Sequence, residues 1–444
     1  MFFYIILAFK NASFYHMNKV LPSFLSGVVL SCSIVTIPIF ADKLPQPALS
    51  GFASFVYAQT LTDDRKETPF EGMTNEGEWS YFNKVGLRLD GDLKQQLNYT
   101  IQVTANGEDE YQPKLDWAFA KYSITDNLSL HIGKMRLPLY MYSEYKDVSY
   151  AYQWVIPPYA VYGSPDFANF DGLALNYLYN LAGEWTAEAQ IWVGSTKDSL
   201  ELGGIGGEPV DIDMKDLLGA QMTLDRDWLS IRAVYMQGQI NLTLPPELIP
   251  QLGHQFSAVN LAQAKSIAWE DDRAQFFGLG IRWDNDFLFV NSELTHIQTE
   301  PNAVLGHSTS FYLMGGIRTS AEWTFSLTYA YDKDQSDKKS RRALRHDIDR
   351  LLVGYDAEIT AEARALNIPI DTYRDLVATD LFNGINSQIY EQNKTFRGDS
   401  YILTTRWDFH PSASAKLEYI IKEKTQYGVH STPQGVRTGI NFIF

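Results

Sequence analysis

"GVRTGINFIF", residues 435–444, alternates between two faces along its whole length and decides the fold. One face carries Val436, Thr438, Ile440, Phe442 and Phe444, and the other carries Gly435, Arg437, Gly439, Asn441 and Ile443. A period of two that is sustained over the whole stretch predicts a β-strand. Because one face is mostly apolar and the other holds an arginine, the strand needs an apolar medium on one side and a polar one on the other.

The same period recurs along most of the chain. In "AEWTFSLTYAYD" (321–332), large apolar residues occupy the odd positions from Trp323 to Tyr331, and Thr, Ser and Ala occupy the even ones. Each such segment is close to the roughly 9–11 residues with which a tilted strand crosses a bilayer. We predict sixteen of them, near 48–60, 81–92, 95–105, 114–123, 127–136, 170–180, 183–194, 214–224, 227–238, 273–284, 286–298, 308–318, 321–332, 398–409, 412–423 and 434–444.

The connections between these segments alternate in length. Every second one is a tight turn, as in "TDN" (125–127) and "DND" (284–286), and the others are mostly long. Charges in mid-strand suit a water-filled interior better than the packed core of a soluble β-sandwich, which is the alternative fold. The sequence therefore predicts an all-β fold, a transmembrane antiparallel β-barrel of about 16 strands with short periplasmic turns and long extracellular loops. In such a barrel 434–444 closes against 48–60.

The first 41 residues have the layout of a secretory signal peptide. They contain no acidic residue, and after Met17, an alternative start, Lys19 precedes an apolar run that ends at Ala41. We predict a signal peptide over 1–41 and a single barrel over 42–444, with an uncleaved membrane anchor as the alternative for the former. Cys32 is the one cysteine of the chain, so the barrel has no cysteine nucleophile or metal site. The net charge of −16 argues against a nucleic-acid partner.

A long stretch after the fifth predicted strand, "HIGKMRLPLYMYSEYKDVSYAYQWVIPPYAVYGSPDFANFDGLALNY" (131–177), is similar to a segment of the Gram-negative porins. Together with the strand and loop alternation and the terminal aromatic Phe444, it makes 48–444 resemble these trimeric, sixteen-stranded barrels. The resemblance implies a homotrimer exported to the outer membrane, in contact with its lipid and lipopolysaccharide, with no cofactor, no metal and no enzymatic reaction. It also implies that Phe444 is the signal read by the barrel-assembly machinery.

In porins the loop after the fifth strand folds inward and narrows the pore, and here that position falls on 137–169. The resemblance implies a constriction with acids on this loop, Glu144, Asp147 and Asp166, opposite a basic wall. Lumen-facing parity selects the wall residues Lys84, Arg88, Arg232, Arg282, Arg318, Arg406 and Arg437, and Lys134 and Arg136 lie where alternation fails. Positive and negative groups on opposite sides create a transverse field. The alternatives are an ordinary surface loop and wall salt bridges with Asp90, Asp92, Glu188, Glu293, Asp408 or Glu418.

These observations predict a passive, water-filled channel for ions and small hydrophilic solutes. A channel specific for an anion, phosphate or a sugar is the first alternative. An outer-membrane hydrolase is the second, although the histidines are scattered and match no nucleophile motif. The long extracellular loop 333–397 is partly helical, from about 341 to 365, and its basic run suits either lipopolysaccharide phosphates or solvent. The acids of 202–216 match no calcium-binding spacing.

Overall fold

The structure is a computed structural model that describes residues 46–62, 71–163, 168–201, 209–243, 268–299, 307–335, 345–346, 348–350, 352–385, 397–426 and 429–444. The predicted signal peptide 1–41 lies outside these residues, as does Asp166. The strands are β1 (Ala48–Thr60), β2 (Lys84–Lys94), β3 (Leu97–Asn106), β4 (Lys114–Ser123), β5 (Leu128–Arg136), β6 (Asn169–Asn180), β7 (Thr186–Glu201), β8 (Pro209–Arg226), β9 (Leu229–Thr243), β10 (Ala268–Asp284), β11 (Leu288–Thr299), β12 (His307–Arg318), β13 (Trp323–Gln335), β14 (Arg397–His410), β15 (Ala413–Gln426), β16 (Val429–Ser431) and β17 (Gln434–Ile443).

Sixteen of these strands form a closed antiparallel barrel. Each long strand pairs with the next one along the chain, and β1 pairs with β17 in a register that runs from Phe52 opposite Ile443 to Thr60 opposite Gly435. The three-residue β16 pairs with the end of β15 and is not one of these sixteen. The predicted strand number, orientation and closure are therefore confirmed, and closure leaves no unpaired edge.

The two faces of the barrel differ in polarity, as the alternation predicts. On β17, Thr438, Ile440 and Phe442 are exposed on the outer face, whereas Arg437 and Asn441 are buried on the inner face. On β13, large apolar residues such as Leu327 point outward and the buried Thr328 points inward. An apolar exterior around a polar interior is the arrangement that a barrel in lipid requires.

Several strands are longer than predicted. Strands β7 to β10 extend into the stretches predicted as loops at 195–213 and 239–272, and β8 has 18 residues. Polar sequences such as "STKDSLE" (195–201) hide the strand signal, because only an apolar face makes the period visible. The first tight turn also falls at 95–96 rather than between the predicted segments 81–92 and 95–105, since β2 runs on to Lys94.

The long loop after β13 is helical, but its helices differ from the predicted one. A turn at Gly354 and Tyr355 interrupts the predicted helix 341–365, and α2 (Asp356–Ala365) follows it. A further helix, α3 (Ile370–Ile385), begins after Pro369 and was not predicted. The two helices share a small buried cluster that includes Ile359 and Tyr373. A short helix, α1 (Tyr159–Tyr162), lies in the loop after β5. None of the helices in the described part of the chain combines the length and the hydropathy needed to cross a membrane.

Candidate functional site

The loop after β5 lies inside the barrel over its described residues, 137–163. Its helix α1 contacts β11, β12 and β13. The indole of Trp154 is fully buried, and its Nε1 donates a hydrogen bond to Thr328 Oγ1 on β13 at 2.8 Å. The first residues of the loop, Leu137 and Leu139, belong to an apolar cluster that also contains the inward-facing Trp192. The loop is therefore attached to the wall by both polar and apolar contacts.

Basic wall residues hold the loop through its backbone carbonyls. Arg406 Nη1 donates to the carbonyl oxygens of Tyr150 and Tyr152, both at 2.9 Å. Lys416 Nζ donates to the carbonyl oxygens of Tyr152 and Trp154, both at 2.6 Å, and also to that of Ser149. A buried ammonium is tolerable only when such acceptors surround it. These two cations fix the position of the loop.

Arg232 on β9 makes the same kind of contact at the beginning of the loop. Its guanidinium donates to the carbonyl oxygen of Leu139 at 3.1 Å and to that of Pro138, and its Nε donates to Gln221 Oε1 at 2.8 Å. Most of its donor capacity is thus used in holding the loop to β8 and β9.

Two buried carboxylates of the wall hold the loop by accepting hydrogen bonds from its N–H and O–H groups. Glu293 Oε1 accepts the backbone N–H of Met141 at 2.8 Å, and its Oε2 accepts the hydroxyl of Tyr162 at 2.6 Å. Glu418 Oε1 accepts the backbone N–H of Val155 at 2.7 Å. The sequence placed acids on the loop and bases on the wall, whereas the wall supplies both, because the loop offers its own backbone as donor and acceptor.

Asp147 is the loop acid that meets the predicted basic wall. Its carboxylate lies 2.8 Å from Lys84 Nζ on β2 and also pairs with Arg136 at the end of β5. The loop therefore reaches both sides of the barrel interior, with Asp147 toward β2 and β5 and Trp154 toward β13.

Three other predicted arginines pair with carboxylates close to them. Arg88 Nε lies 2.7 Å from Asp90 on the same strand, and Arg318 Nη2 lies 2.7 Å from Asp284 on β10. Arg437 Nη2 lies 2.7 Å from Glu71, which belongs to the loop after β1. Arg88 thus forms a wall salt bridge of the alternative interpretation, and so do Arg406 with Asp408 at 2.7 Å and Arg437 with Glu418 at 4.0 Å. Arg318 pairs instead with an acid that the alternative did not include, beside the tight turn at 285–287.

Lys134 does not belong to the basic wall, and its prediction as a constriction residue is wrong. Met135 is buried on the inner face, so Lys134 faces outward, where its Nζ lies 4.0 Å from Asp171 on β6. Arg136 nevertheless reaches the inner loop, so that the strict alternation ends at Met135. The preceding Gly133 has a φ of +133°, a conformation that side-chain-bearing residues rarely adopt, and this local distortion accompanies the change.

An open space remains between the tip of the loop and strands β7 to β10. It has a volume of about 480 Å³, and Glu144 and Tyr145 of the loop face Glu188, Arg232 and Arg282 of the wall across it. Partial burial raises the pKa of Glu144 above its usual value, and the nearby charge of Glu188 adds to this rise. Among the predicted residues, the structure brings Glu144, Arg232 and Arg282 together around this cavity.

Two groups in this arrangement were missed by the sequence reading. Lys416 lies on the inward face of β15, and the alternation of "ASAKLEYIIK" would have identified it. Glu71 carries no such signal, because it lies in a loop where it and Gly72 both have positive φ values. Its role depends on a contact with a strand more than three hundred residues away in the sequence.

Comparisons with known proteins found solved structures with a similar fold. No family model matches the chain, and no curated protein matches it. The in-vitro folded outer-membrane protein OmpT of Vibrio cholerae matches with a TM-score of 0.50 at 10% identity, over 90% of this chain and 97% of that one. The outer-membrane channel DcaP of Acinetobacter baumannii matches with the same TM-score and identity, over 90% of this chain and 97% of that one.

The chain has the fold of the outer-membrane porins. At 10% identity the similarity concerns the course of the backbone alone. The porin fold explains how residues from β2, β5 and β9 to β15 reach one loop, because a closed ring turns every second side chain of each strand toward the same interior.

Proposed function

We propose that the chain forms a passive, water-filled channel for ions and small hydrophilic solutes across the outer membrane. One observation carries the proposal, namely a closed sixteen-stranded ring with an apolar exterior and charged side chains on its interior. Charges such as those of Arg232 and Arg282 are costly in a dry core and are tolerated beside water. The loop 137–163 narrows this channel and is held in place by Lys416, Arg406 and Glu293.

The proposal includes a homotrimer in the outer membrane, as the resemblance to porins implies, reached through the export signal of residues 1–41 and the barrel-assembly machinery. The outer face supports a membrane location, since apolar residues such as Leu279, Leu327 and Leu403 are exposed on three different strands. Such a surface is stable in lipid and would aggregate in water.

A hydrolase is the rival that differs most in chemistry. Ser129 Oγ lies 3.4 Å from His131 Nε2, but both residues belong to β5 and the histidine ring stacks on Phe119. Among the hydrogen bonds of the described residues, none joins His131 to a carboxylate that would orient it as a base. The channel is therefore the function that the geometry supports better.

Reconstitution into planar bilayers tests the proposal. We expect discrete, ohmic current steps in KCl, and migration on gel electrophoresis that changes on heating, as a stable barrel requires. Gel electrophoresis of the unheated sample distinguishes a trimer from a monomer. A folded barrel that inserts and yet carries no ionic current would overturn the channel function.

A further inference from the structure

The cavity beside the loop tip has the size of a small-molecule site. Its volume of about 480 Å³ falls within the range of roughly 300–1,000 Å³ that is usual for ligand pockets. Its walls come from separate elements, with Glu144 from the loop, Glu188 from β7 and Arg282 from β10. Such a site depends on the barrel and the loop together.

The charges around this cavity differ in how far the protein already uses them. Arg232 is committed to Gln221 and to the loop carbonyls, and Arg226 lies 3.6 Å from Glu184. By contrast, no side-chain hydrogen bond or ion pair joins Glu144, Glu188 or Arg282 to any other described residue, and the same is true of Asp225 and Asp227 at the edge of the cavity. These three charges are therefore available to a solute.

The available charges have opposite signs and are confined to one space. Burial raises the pKa of Glu144, and Glu188 raises it further, since two neighbouring carboxylates repel each other and a cation between them relieves that repulsion. Arg282 influences the loop tyrosines Tyr142 and Tyr145 electrostatically, so it lies close to the same part of the loop. An arginine fork matches a carboxylate and favours it over a neutral oxygen.

We infer that this cavity is a subsite for small zwitterionic solutes of the amino-acid or dipeptide type. Arg282 receives the carboxylate, and the ammonium group lies between Glu144 and Glu188. The inference rests on the proposed channel function and deepens it by naming a solute class. It makes the channel selective for solutes that carry both charges, in contrast to simple anions, simple cations and neutral sugars.

The test measures how a dipeptide alters KCl current through single channels in planar bilayers. Glycylglycine is compared with glycinamide, which has only the cation, with N-acetylglycine, which has only the anion, and with arabinose, which has neither. In the wild type we expect glycylglycine to reduce the current in a saturable way at lower concentrations than the other three. Equal effects of glycylglycine and glycinamide would overturn the inference in favour of a simple cation site.

Variants assign the effect to this cavity. Arg282→Gln should raise the half-saturating glycylglycine concentration by about tenfold, the loss expected for one charge-assisted contact. Lys134→Gln removes one positive charge from the outer face and should leave that concentration unchanged. Glu144→Gln weakens the other end of the site and provides a second test if Arg282→Gln does not insert. An unchanged half-saturating concentration in the cavity variants would refute the subsite, whereas a wild type without KCl current would refute the channel itself.

Discussion

Glu71 Oε2 lies 2.7 Å from Arg437 Nη2, so that the loop after β1 is joined by an ion pair to the strand that closes the barrel. Lys422 Nζ lies 3.4 Å from Glu71 Oε1 and 3.7 Å from Asp332, which extends the pair into a network over β13, β15 and β17. All these side chains are largely withdrawn from water. The network connects the loop, the seam and the neighbouring wall.

Replacing Glu71 with Gln should destabilise the barrel. The change leaves the guanidinium of Arg437 buried without its main counter-charge, and such a loss costs about 3–5 kcal/mol. Urea unfolding, monitored through the heat-dependent shift on gels, would measure this loss of stability. Glu76→Gln, in the same loop, is the control. Equal unfolding midpoints for the two variants would contradict the assigned role of the ion pair.

The same carboxylate predicts a dependence of stability on pH. Burial alone would raise the pKa of Glu71, but Lys422 and Arg437 outweigh it and hold the pKa below its usual 4.5. Because the pKa is lowered in the folded state, the stabilisation is complete above pH 4.5 and is lost as the pH falls through the folded value. At pH values below 4.5, we expect the urea midpoint of unfolding to decrease more steeply with falling pH in the wild type than in Glu71→Gln. Parallel curves would show that other groups control acid unfolding.

The raised pKa of Glu144 predicts a pH dependence of ion selectivity. As the pH falls, Glu144 loses its charge at a higher pH than an ordinary carboxyl, and the cavity then attracts cations less strongly. The reversal potential in a KCl gradient, measured from pH 8 to 4, should therefore move toward anion preference already above pH 4.5. Glu144→Gln should lack this part of the change. A wild type and a variant with the same pH profile would exclude Glu144 from the conducting path.

Lys416 is expected to act on the pore through the position of the loop. Lys416→Met removes the donor shared by the carbonyl oxygens of Ser149, Tyr152 and Trp154. The oxygen of Tyr152 keeps its bond from Arg406, and each buried acceptor that is left unsatisfied costs about 1–3 kcal/mol. We expect noisier single-channel currents and an altered conductance, while the heat-dependent gel shift remains. Lys134→Met is the matched control on the outer face. Quiet currents of wild-type size in Lys416→Met would mean that other contacts suffice to fix the loop.

Phe444 contributes to the seam through its backbone and its ring. Its carbonyl oxygen accepts the N–H of Gly51 at 2.8 Å, and a Cβ on Gly51 would lie 2.4 Å from its ring. Deleting Phe444 should reduce the yield of folded barrel in the membrane more than the conductance of the channels that do form. Phe442→Leu, on the outer face of the same strand, is the control. A normal yield after deletion would contradict an assembly role.

The sequence predicts those features of the fold and the site that depend on a pattern within one short segment. Alternation along single strands correctly separates Arg437 from Ile440, and the turn residues separate neighbouring strands. The prediction fails at Lys134, because the alternation that was expected to end before this residue continues as far as Met135. It also misses the contacts of Lys416 and Glu71, since their partners are remote in sequence and are brought close only by ring closure. Pairing of charges across the lumen is a property of the closed barrel.

The strands differ in length around the ring, from nine residues in β5 to eighteen in β8. Since about eleven residues carry a tilted strand through the bilayer, roughly seven residues of β8 continue beyond it, or about 23 Å of strand. At the end of the barrel with the long connections, the wall is therefore low near β5 and high near β8. In the proposed channel, solutes therefore reach the interior most directly over the low side of the wall near β5.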